Sequence, residues 1–349
     1  MPPASTRPSP SQPEKNGARP GHMKLSIIIV HHGPTAALQH CLHTLTAPGG
    51  PHREIIVVHN GGDPPPEPHP PAAYTIIPNP GNPGFAHGCN AAAAAATGEQ
   101  LLFLNPDAIA TPGDLQTLLA EAAAHPEYTV LSCRQTNSQG RPAKTFDSFP
   151  SPATVFGLTR AVARWLASNK NPDPRSDWKG IVDCDWVSGS VLMVSAADLK
   201  TVGGWSEDFW LYMEDVDFCK RIRNQGMRVG CTAALTLIHD HGASTRSDEN
   251  PEALCRAETV ISSHAWAARH LTGHSSALFH GLQIARTVIL LTPLALIDVL
   301  TLSQICKLRT RRKIFLRLLG FYFSAPWKQK WTSPRAPSQG SRISDPRTP

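Results

Sequence analysis

At 349 residues, with 41% hydrophobic and 17% charged residues, the chain can bury a full core, which excludes a wholly disordered protein. A formal net charge of +6 raises nucleic acid as a partner, but the basic residues cluster in the tail and no nucleic-acid module is legible, so no nucleic acid is expected. The eight cysteines are scattered with no Cys-x-x-Cys pair, which predicts buried free thiols rather than a disulfide framework or a zinc site.

Residues 1–23 are proline-rich and contain no apolar h-region, so they read as a disordered tail and not as a signal peptide. Leu25–Val30 is a β-branched run that breaks at His31-His32-Gly33-Pro34, and Leu38, Cys41, Leu42 and Leu45 then recur at helical spacing. A second run, Glu54–Val58, ends in His59-Asn60-Gly61-Gly62, and Tyr74–Ile77 reads as a short third strand. Continuous apolar strands alternating with helices predict an α/β fold with a mostly parallel sheet covered on both faces. Ligands in such sheets gather at the carboxyl ends of the strands, so the loops after Val30 and Val58 are assigned to the site.

The stretch Asn79-Pro80-Gly81-Asn82-Pro83-Gly84-Phe85-Ala86-His87-Gly88-Cys89-Asn90 opens onto an alanine helix, Ala91–Ala96. Such a loop can present backbone N–H groups to an anion, although glycine-rich turns before helices are commonly only turns. Leu101–Leu104 is a buried-strand run that ends in Asn105-Pro106-Asp107. An acid at the end of a central strand suits Mg²⁺ or Mn²⁺ beside a pyrophosphate; the same three residues also make a plain turn. Thr111-Pro112-Gly113-Asp114 carries a capping box, and Tyr128–Cys133 returns to strand.

From Gly204 the chain reads Gly-Trp-Ser-Glu-Asp-Phe-Trp-Leu-Tyr-Met-Glu-Asp-Val-Asp, ending at Asp217. Met213, Val216, Cys219 and Ile222 then repeat at helical spacing until Gly226, so a helix opens here on carboxylates. Acids in a first turn also simply match the helix dipole. Trp205, Phe209, Trp210 and Tyr212 precede them and can wall a pocket that limits a carboxylate's solvation, which makes it a base.

Over about Lys24–Thr245 these motifs, in this order, resemble family 2 glycosyltransferases of the GT-A fold, within them the rhamnosyltransferase-like branch. The resemblance rests on Ser26–Val30, Glu54–Val58 with Asn60, Asn82-x-Gly84-Phe85-Ala86-x-Gly88-x-Asn90 and Leu102–Asp107. It continues through Gly189-Ser190 with Val191–Val194, Val202-Gly203-Gly204-Trp205, Glu214–Asp217 and His239-x-x-Gly242-x-Ser244. It implies an inverting transfer from a nucleotide-sugar donor, dTDP- or UDP-linked, to a hydroxyl of a lipid-linked or polysaccharide acceptor. Asp215 would be the base, with Glu214 beside it, and Asp107 and His239 would hold Mg²⁺ or Mn²⁺. The donor side is assigned Val30, His32, His59, Asn60, Asn82, Gly84, Phe85, Gly88, Asn90 and Asn105, and the acceptor side Gly189, Trp205 and Trp210. Two positions depart from the family: His59 stands where an acid usually contacts the nucleotide base, and His32-Gly33 where tyrosine and asparagine are common. A neutral imidazole accepts a hydrogen bond but brings no negative charge.

Two other classes fit parts of the pattern. A sugar nucleotidyltransferase would need a glycine-rich basic loop after Val30, which is missing, and a non-catalytic nucleotide-sugar-binding module would have no use for Asp215. The GT-A domain is predicted to occupy 24–275, a helical apolar and basic extension 276–330, and a disordered tail 331–349. Residues 260–274 are expected to form a helix closing the acceptor side. Leu282–Leu302 is apolar but interrupted by Arg286, Pro293 and Asp298, and Lys307, Arg309, Arg311, Arg312, Lys313 and Arg317 follow. That order predicts a helix lying on an anionic membrane surface, at the inner face of the cell membrane; the alternatives are a transmembrane span, which the interruptions disfavour, and a core helix followed by a solvated basic face.

Overall fold

The computed structural model describes residues 24–70, 73–166, 171–240, 249–325 and 331–337. In chain order, β1 (Leu25–Gly33), α1 (Ala36–Leu45), β2 (Arg53–Gly62), β3 (Thr75–Pro78), α2 (Phe85–Ala95) and β4 (Gln100–Leu104) form the first half of the sheet and its cover. They are followed by β5 (Ala108–Ile109), α3 (Pro112–Ala124), β6 (Tyr128–Thr136), β7 (Phe146–Asp147), a 3₁₀ turn (Pro152–Thr154) and α4 (Gly157–Leu166). The remainder is β8 (Ile181–Asp183), β9 (Trp186–Val187), β10 (Val191–Ser195), α5 (Ala196–Val202), α6 (Glu214–Asn224), β11 (Arg228–His239), α7 (Glu249–His270), α8 (Gly273–Leu300) and α9 (Cys306–Ser324).

The main sheet runs β3-β2-β1-β4-β10-β6-β11-β5, with β8 also on β11; β7 and β9 make a separate small ladder. β1 pairs in parallel with β2 and β4, and β6 with β11, while β10 runs antiparallel between β4 and β6. Alternate residues of each strand enter different cores. Ile28, Val30, Ile56, Val58 and Phe103 face α2, α5 and α6, whereas Ile27, Ile29, Ile55, Val57, Leu102 and Leu104 face α1 and α3. Burial on both faces explains why these strands read as continuous apolar runs. The predicted capping box holds: the Asp114 N–H donates to Thr111 Oγ1 and the Thr111 N–H to Asp114 Oδ2.

Two boundaries differ from the sequence reading. β1 and β2 continue to Gly33 and Gly62, so His31, His32, His59 and Asn60 are strand residues rather than loop residues, held by the His31–His59 pairing. Helix α2 begins at Phe85, six residues before the alanine run, which moves Phe85, Gly88 and Asn90 from the loop onto the helix.

The topology fixes where a site can lie. The carboxyl ends of β1, β2 and β4 share one edge, and antiparallel β10 brings its beginning there, with Val191 opposite Leu104. β11 delivers His239 beside Ala108, just beyond the end of β4.

At the C-terminal end, α7 and α9 share a core of Ala253, Ala257, Ile261, Ile314, Leu318 and Phe321. Among the described residues α8 is one helix long and apolar enough to cross a membrane by length and composition, and 22% of its most apolar stretch is buried. The core-helix alternative thus accounts for only a minor part of its surface. One of the two charges that interrupt it, Asp298, is buried and accepts from Arg312 Nε of α9 at 2.6 Å. Gly242 and Ser244 of the His239 motif lie outside the described residues.

Candidate active site

The end of β4 and the end of β11 form one corner. The Asn105 N–H donates to Ser190 O at 2.9 Å, and Asp107 O accepts from the Asp240 N–H at 3.2 Å, so both strand ends are locked to their neighbours. His239 is buried; its Nδ1 lies 2.9 Å from Gln135 Oε1, which also accepts from Ser190 Oγ at 2.9 Å. With Gln135 Oε1 as acceptor, Nδ1 carries the ring proton and Nε2 presents its lone pair. That nitrogen lies 3.1 Å from Asp107 Oδ1 and 3.3 Å from Asn105 Nδ2. An imidazole lone pair facing a carboxylate oxygen is the arrangement a shared proton or a cation stabilises. Among the described residues no group of three or more His, Cys, Asp or Glu side chains gathers. Asp107 and His239 would supply two ligands to a divalent ion, leaving the others to substrate oxygens and water, as is common for hard cations bound with phosphates.

The second corner is the start of α6. Tyr212 and Met213 adopt left-handed backbone, φ 67° and 69°, immediately before Glu214. Such residues cost about 1–3 kcal/mol each and persist where surrounding structure enforces them. Here Ser262 of α7 donates to Leu211 O at 2.8 Å and Arg269 holds Ser206 and Asp208. The helix expected over 260–274 thus exists, runs from Glu249 to His270, and secures the loop leading into α6.

Asp215 Oδ2 accepts from the Gly189 N–H at 3.0 Å and Oδ1 from the Val216 N–H at 2.8 Å. Burial pushes the Asp215 carboxyl above its ordinary value, and the two N–H groups only partly offset this. Glu214 is also buried, and its Oε2 has no hydrogen-bond partner. Burial, and then the charge of Asp215, push Glu214 well above the carboxylate range. Of the two, Asp215 is the acid held by the N–H groups of other residues, Gly189 and Val216, which favour its charged form. Asp217 serves the scaffold. Fully buried, it accepts from Arg221 Nε at 2.8 Å and sits 2.8 Å from His270 Nε2, joining α6 to α7.

The donor-side assignments divide into two groups. Asn60 is buried and donates to Gly84 O at 3.0 Å, while its Oδ1 accepts from Asn79 at 2.5 Å. His32 is exposed at the same edge, its Nε2 3.5 Å from Asn82 Nδ2 and its Nδ1 3.3 Å from Asn60 O. His59 stacks with His31 at 6.1 Å, and its Nδ1 is buried without a partner. These residues, with Asn105, converge on the strand ends. Val30, Gly88, Asn90 and Phe85 serve the scaffold instead. A Cβ on Gly88 would lie 2.9 Å from Val30 Cγ1, so the glycine lets α2 pack close to β1. Asn90 is fully engaged: Nδ2 donates to Trp205 O and Glu207 Oε1, and Oδ1 accepts from the Trp205 N–H. The Phe85 N–H is likewise engaged, by Trp210 O at 3.0 Å, so it is not offered to an anion.

On the acceptor side, Gly189 lies against Asp215 as expected. Trp205 does not line an open face: it is 2% exposed, edge-on to Phe103 and stacked on Phe218, because the apolar floor beneath the sheet edge takes up the indole. Trp210 is also buried, its Nε1 donating to Asn82 O at 2.8 Å, which ties the glycine-rich loop to the segment before α6. Tyr212 is the exposed member of the aromatic set. Gln135 and Ser190 line this corner without having been assigned to the site from the sequence; Ser190 stands in the Gly189-Ser190 motif, but nothing marks Gln135.

Similarity to known proteins covers the same region of the chain. Residues 26–195 match the model of glycosyl transferase family 2, and residues 173–240 match that of the N-terminal domain of galactosyltransferase. The rhamnosyltransferase WbbL of Escherichia coli (strain K12) is 27% identical over 165 residues, 45% of this chain and 60% of that protein. The N-acetylglucosaminyl-diphospho-decaprenol L-rhamnosyltransferase of Mycobacterium tuberculosis (strain ATCC 25618 / H37Rv) is 26% identical over 160 residues, 42% of this chain and 49% of that protein. The chain thus spans less than two thirds of the length of either relative. Among solved structures, the mannosyltransferase PcManGT from Pyrobaculum calidifontis, in complex with GDP-Man and Mn²⁺, is 16% identical with a TM-score of 0.48, over 88% of each chain. Residues 26–195 therefore read as a glycosyl transferase family 2 domain, with rhamnosyltransferases among the chain's relatives.

Proposed function

We propose that the chain is an inverting glycosyltransferase that moves a sugar of the rhamnose class from a dTDP- or UDP-linked donor to a hydroxyl of a lipid-linked glycan or polysaccharide. The observation that carries this reading is the Asp215 carboxylate, held by the Gly189 N–H next to the Ser190 link to the Asn105–Asp107–His239 corner. Asp215 accepts the acceptor hydroxyl's proton as its oxygen attacks the anomeric carbon and the bond to the nucleoside diphosphate breaks. Its raised proton affinity makes it a better base than an exposed aspartate. Asp107 and His239 would hold Mg²⁺ or Mn²⁺, which when bound neutralises negative charge on the diphosphate. Asn60 and His32 position the strand ends on the donor side, and His59 offers an imidazole to the nucleotide.

The lipid-linked acceptor is supported by the mycobacterial relative, a rhamnosyltransferase named for a diphospho-decaprenol substrate. It is also supported by α8 and α9, which place an uncovered apolar helix beside a basic one. On this reading the protein lies peripherally on the cytoplasmic leaflet.

Screening dTDP- and UDP-sugars for release of nucleoside diphosphate, with Mn²⁺, Mg²⁺ or EDTA, tests the proposal. Metal-dependent diphosphate release that rises with a polyprenyl-diphosphate sugar supports it. Pyrophosphate release would indicate a nucleotidyltransferase, and donor binding without turnover a binding module.

A further inference from the structure

Helix α4 leaves an apolar stripe uncovered. Leu158, Val162, Trp165 and Leu166 fall at i, i+4, i+7 and i+8, which places them within about a third of the helix circumference. All four face outward, with exposures of 79%, 48%, 73% and 67%. Its polar residues Thr159 and Arg160 are exposed too, but they tether the helix to the domain: Arg160 Nη2 lies 3.7 Å from the buried Asp147 carboxylate, and Thr159 Oγ1 donates to Ala153 O at 2.7 Å. A surface helix of a globular domain buries its apolar stripe, so this orientation calls for an apolar occupant outside the described residues.

We propose that α4 inserts its Leu158–Val162–Trp165–Leu166 face into an anionic bilayer, as a second contact beside α8; this rests on the membrane-associated reading above. Three observations select a bilayer. The segment 157–166 contains two arginines and no acid, which suits anionic headgroups. Trp165 sits among the aliphatic residues, and tryptophan favours the headgroup boundary. The 3₁₀ turn leading into α4 packs on α8: Val155 and Phe156 share a cluster with Phe279 and Leu282, so α4 starts beside the long uncovered apolar helix. Two such elements on one body would orient the catalytic domain on the surface, where one alone would leave it free to swing.

The test is quenching of tryptophan fluorescence in the full-length protein by lipids brominated high in the acyl chain, in phosphatidylglycerol-containing vesicles. The proposal expects wild type to be quenched, the Trp165→Phe variant to lack a distinct part of that quenching, and Leu158→Glu to lower the Trp165 component severalfold. Thermal midpoints should stay unchanged, because the altered side chains touch solvent. If wild type binds vesicles and Trp165→Phe is quenched identically, the α4 contact is wrong while membrane association stands. If wild type does not bind vesicles, both readings fall. If sedimentation velocity shows wild type dimeric and Leu158→Glu monomeric without lipid, the face is covered by a second copy and the proposal is overturned.

Discussion

The Gly189 N–H donates to Asp215 Oδ2 at 3.0 Å, and the next residue, Ser190, accepts from the Asn105 N–H and donates to Gln135. One dipeptide before β10 thus fixes the base and braces the Asp107–His239 corner. The antiparallel insertion of β10 between β4 and β6 makes this possible, because it delivers a strand beginning to an edge of strand ends. Asp215→Asn keeps the shape of the side chain but cannot accept a proton. It should lower kcat by about a hundredfold or more. Donor binding, measured by calorimetry, should stay near wild type. The acid limb of the kcat/KM profile should lie above an ordinary aspartate's, since burial raises this group and the base works only when ionised. Near-normal turnover by the variant would remove Asp215 from the mechanism.

The metal corner makes a separable prediction. Asp107→Ala and His239→Ala should both weaken Mn²⁺ binding and donor affinity, since cation and diphosphate bind as a unit. Gln135 acts through His239, accepting from Nδ1 at 2.9 Å, so Gln135→Leu should lower metal affinity by about 10–100-fold. Gln135→Glu, which keeps the acceptor, should restore most of it. Mn²⁺ titrations followed by electron paramagnetic resonance give these affinities without relying on turnover. Full activity of the two alanine variants in EDTA would show that the corner holds no catalytic metal.

Much of this architecture is legible in the residues, because a strand buried on both faces must be apolar throughout. Leu25–Val30, Glu54–Val58 and Leu101–Leu104 could be read as strands of a mostly parallel sheet for that reason; their adjacency appears only in the structure. Asp107 and a carboxylate of Glu214–Asp217 follow from their places after a strand and at a helix start, whereas the choice of Asp215 and the role of His239 come only with the family resemblance. What stayed hidden is how each polar group is satisfied. Asn90 looks like a loop ligand in the sequence, yet all its side-chain hydrogen bonds reach residues 115 or more positions away. Gln135 lies at the end of β6 with no motif around it, and its role exists only once β11 and β10 flank it. Trp205 shows a related limit, since an aromatic next to acids is equally a pocket wall or, as here, a core plug.

Asp217 and Glu214 sit three residues apart and should respond to pH in opposite directions. Burial alone would raise Asp217, but the His270 hydrogen bond and the Arg221 and Arg269 charges outweigh it and hold the carboxyl below its ordinary value. Its contribution to stability is therefore complete above the unfolded value near 3.8 and is lost as pH falls through the lowered folded value. Asp217→Ala should destabilise by about 3–5 kcal/mol at neutral pH, since it strands buried cations. Glu214 is raised, so the folded chain holds a proton that the unfolded chain releases, and stability falls as pH rises above about 4.5. Glu214→Gln should flatten that fall. Urea unfolding at pH 3, pH 5 and pH 8 measures both, the Asp217 loss between pH 5 and pH 3 and the Glu214 fall between pH 5 and pH 8, and a steeper loss for Glu214→Gln at pH 8 would contradict the assignment.

Gly84 joins the donor loop to the segment that leads into the base. Its φ is +112°, and a Cβ added there would lie 2.5 Å from Trp210 O, the carbonyl that accepts the Phe85 N–H. Backbone cannot yield as a flexible side chain does, so Gly84→Ala must push Trp210 away or shift the start of α2. Either movement reaches Asn60, which donates to Gly84 O, and Tyr212-Met213, whose left-handed turn aims Asp215. Gly81 supplies the control: its φ is +83°, but nothing lies within 4 Å of an added Cβ. Gly81→Ala carries only the backbone strain, about 1–3 kcal/mol, whereas Gly84→Ala adds the collision and should cost more than that. Gly84→Ala should also lower kcat while the circular dichroism spectrum stays native. Equal stability and equal kcat in the two variants would mean that the Trp210 contact does not hold the loop against the base.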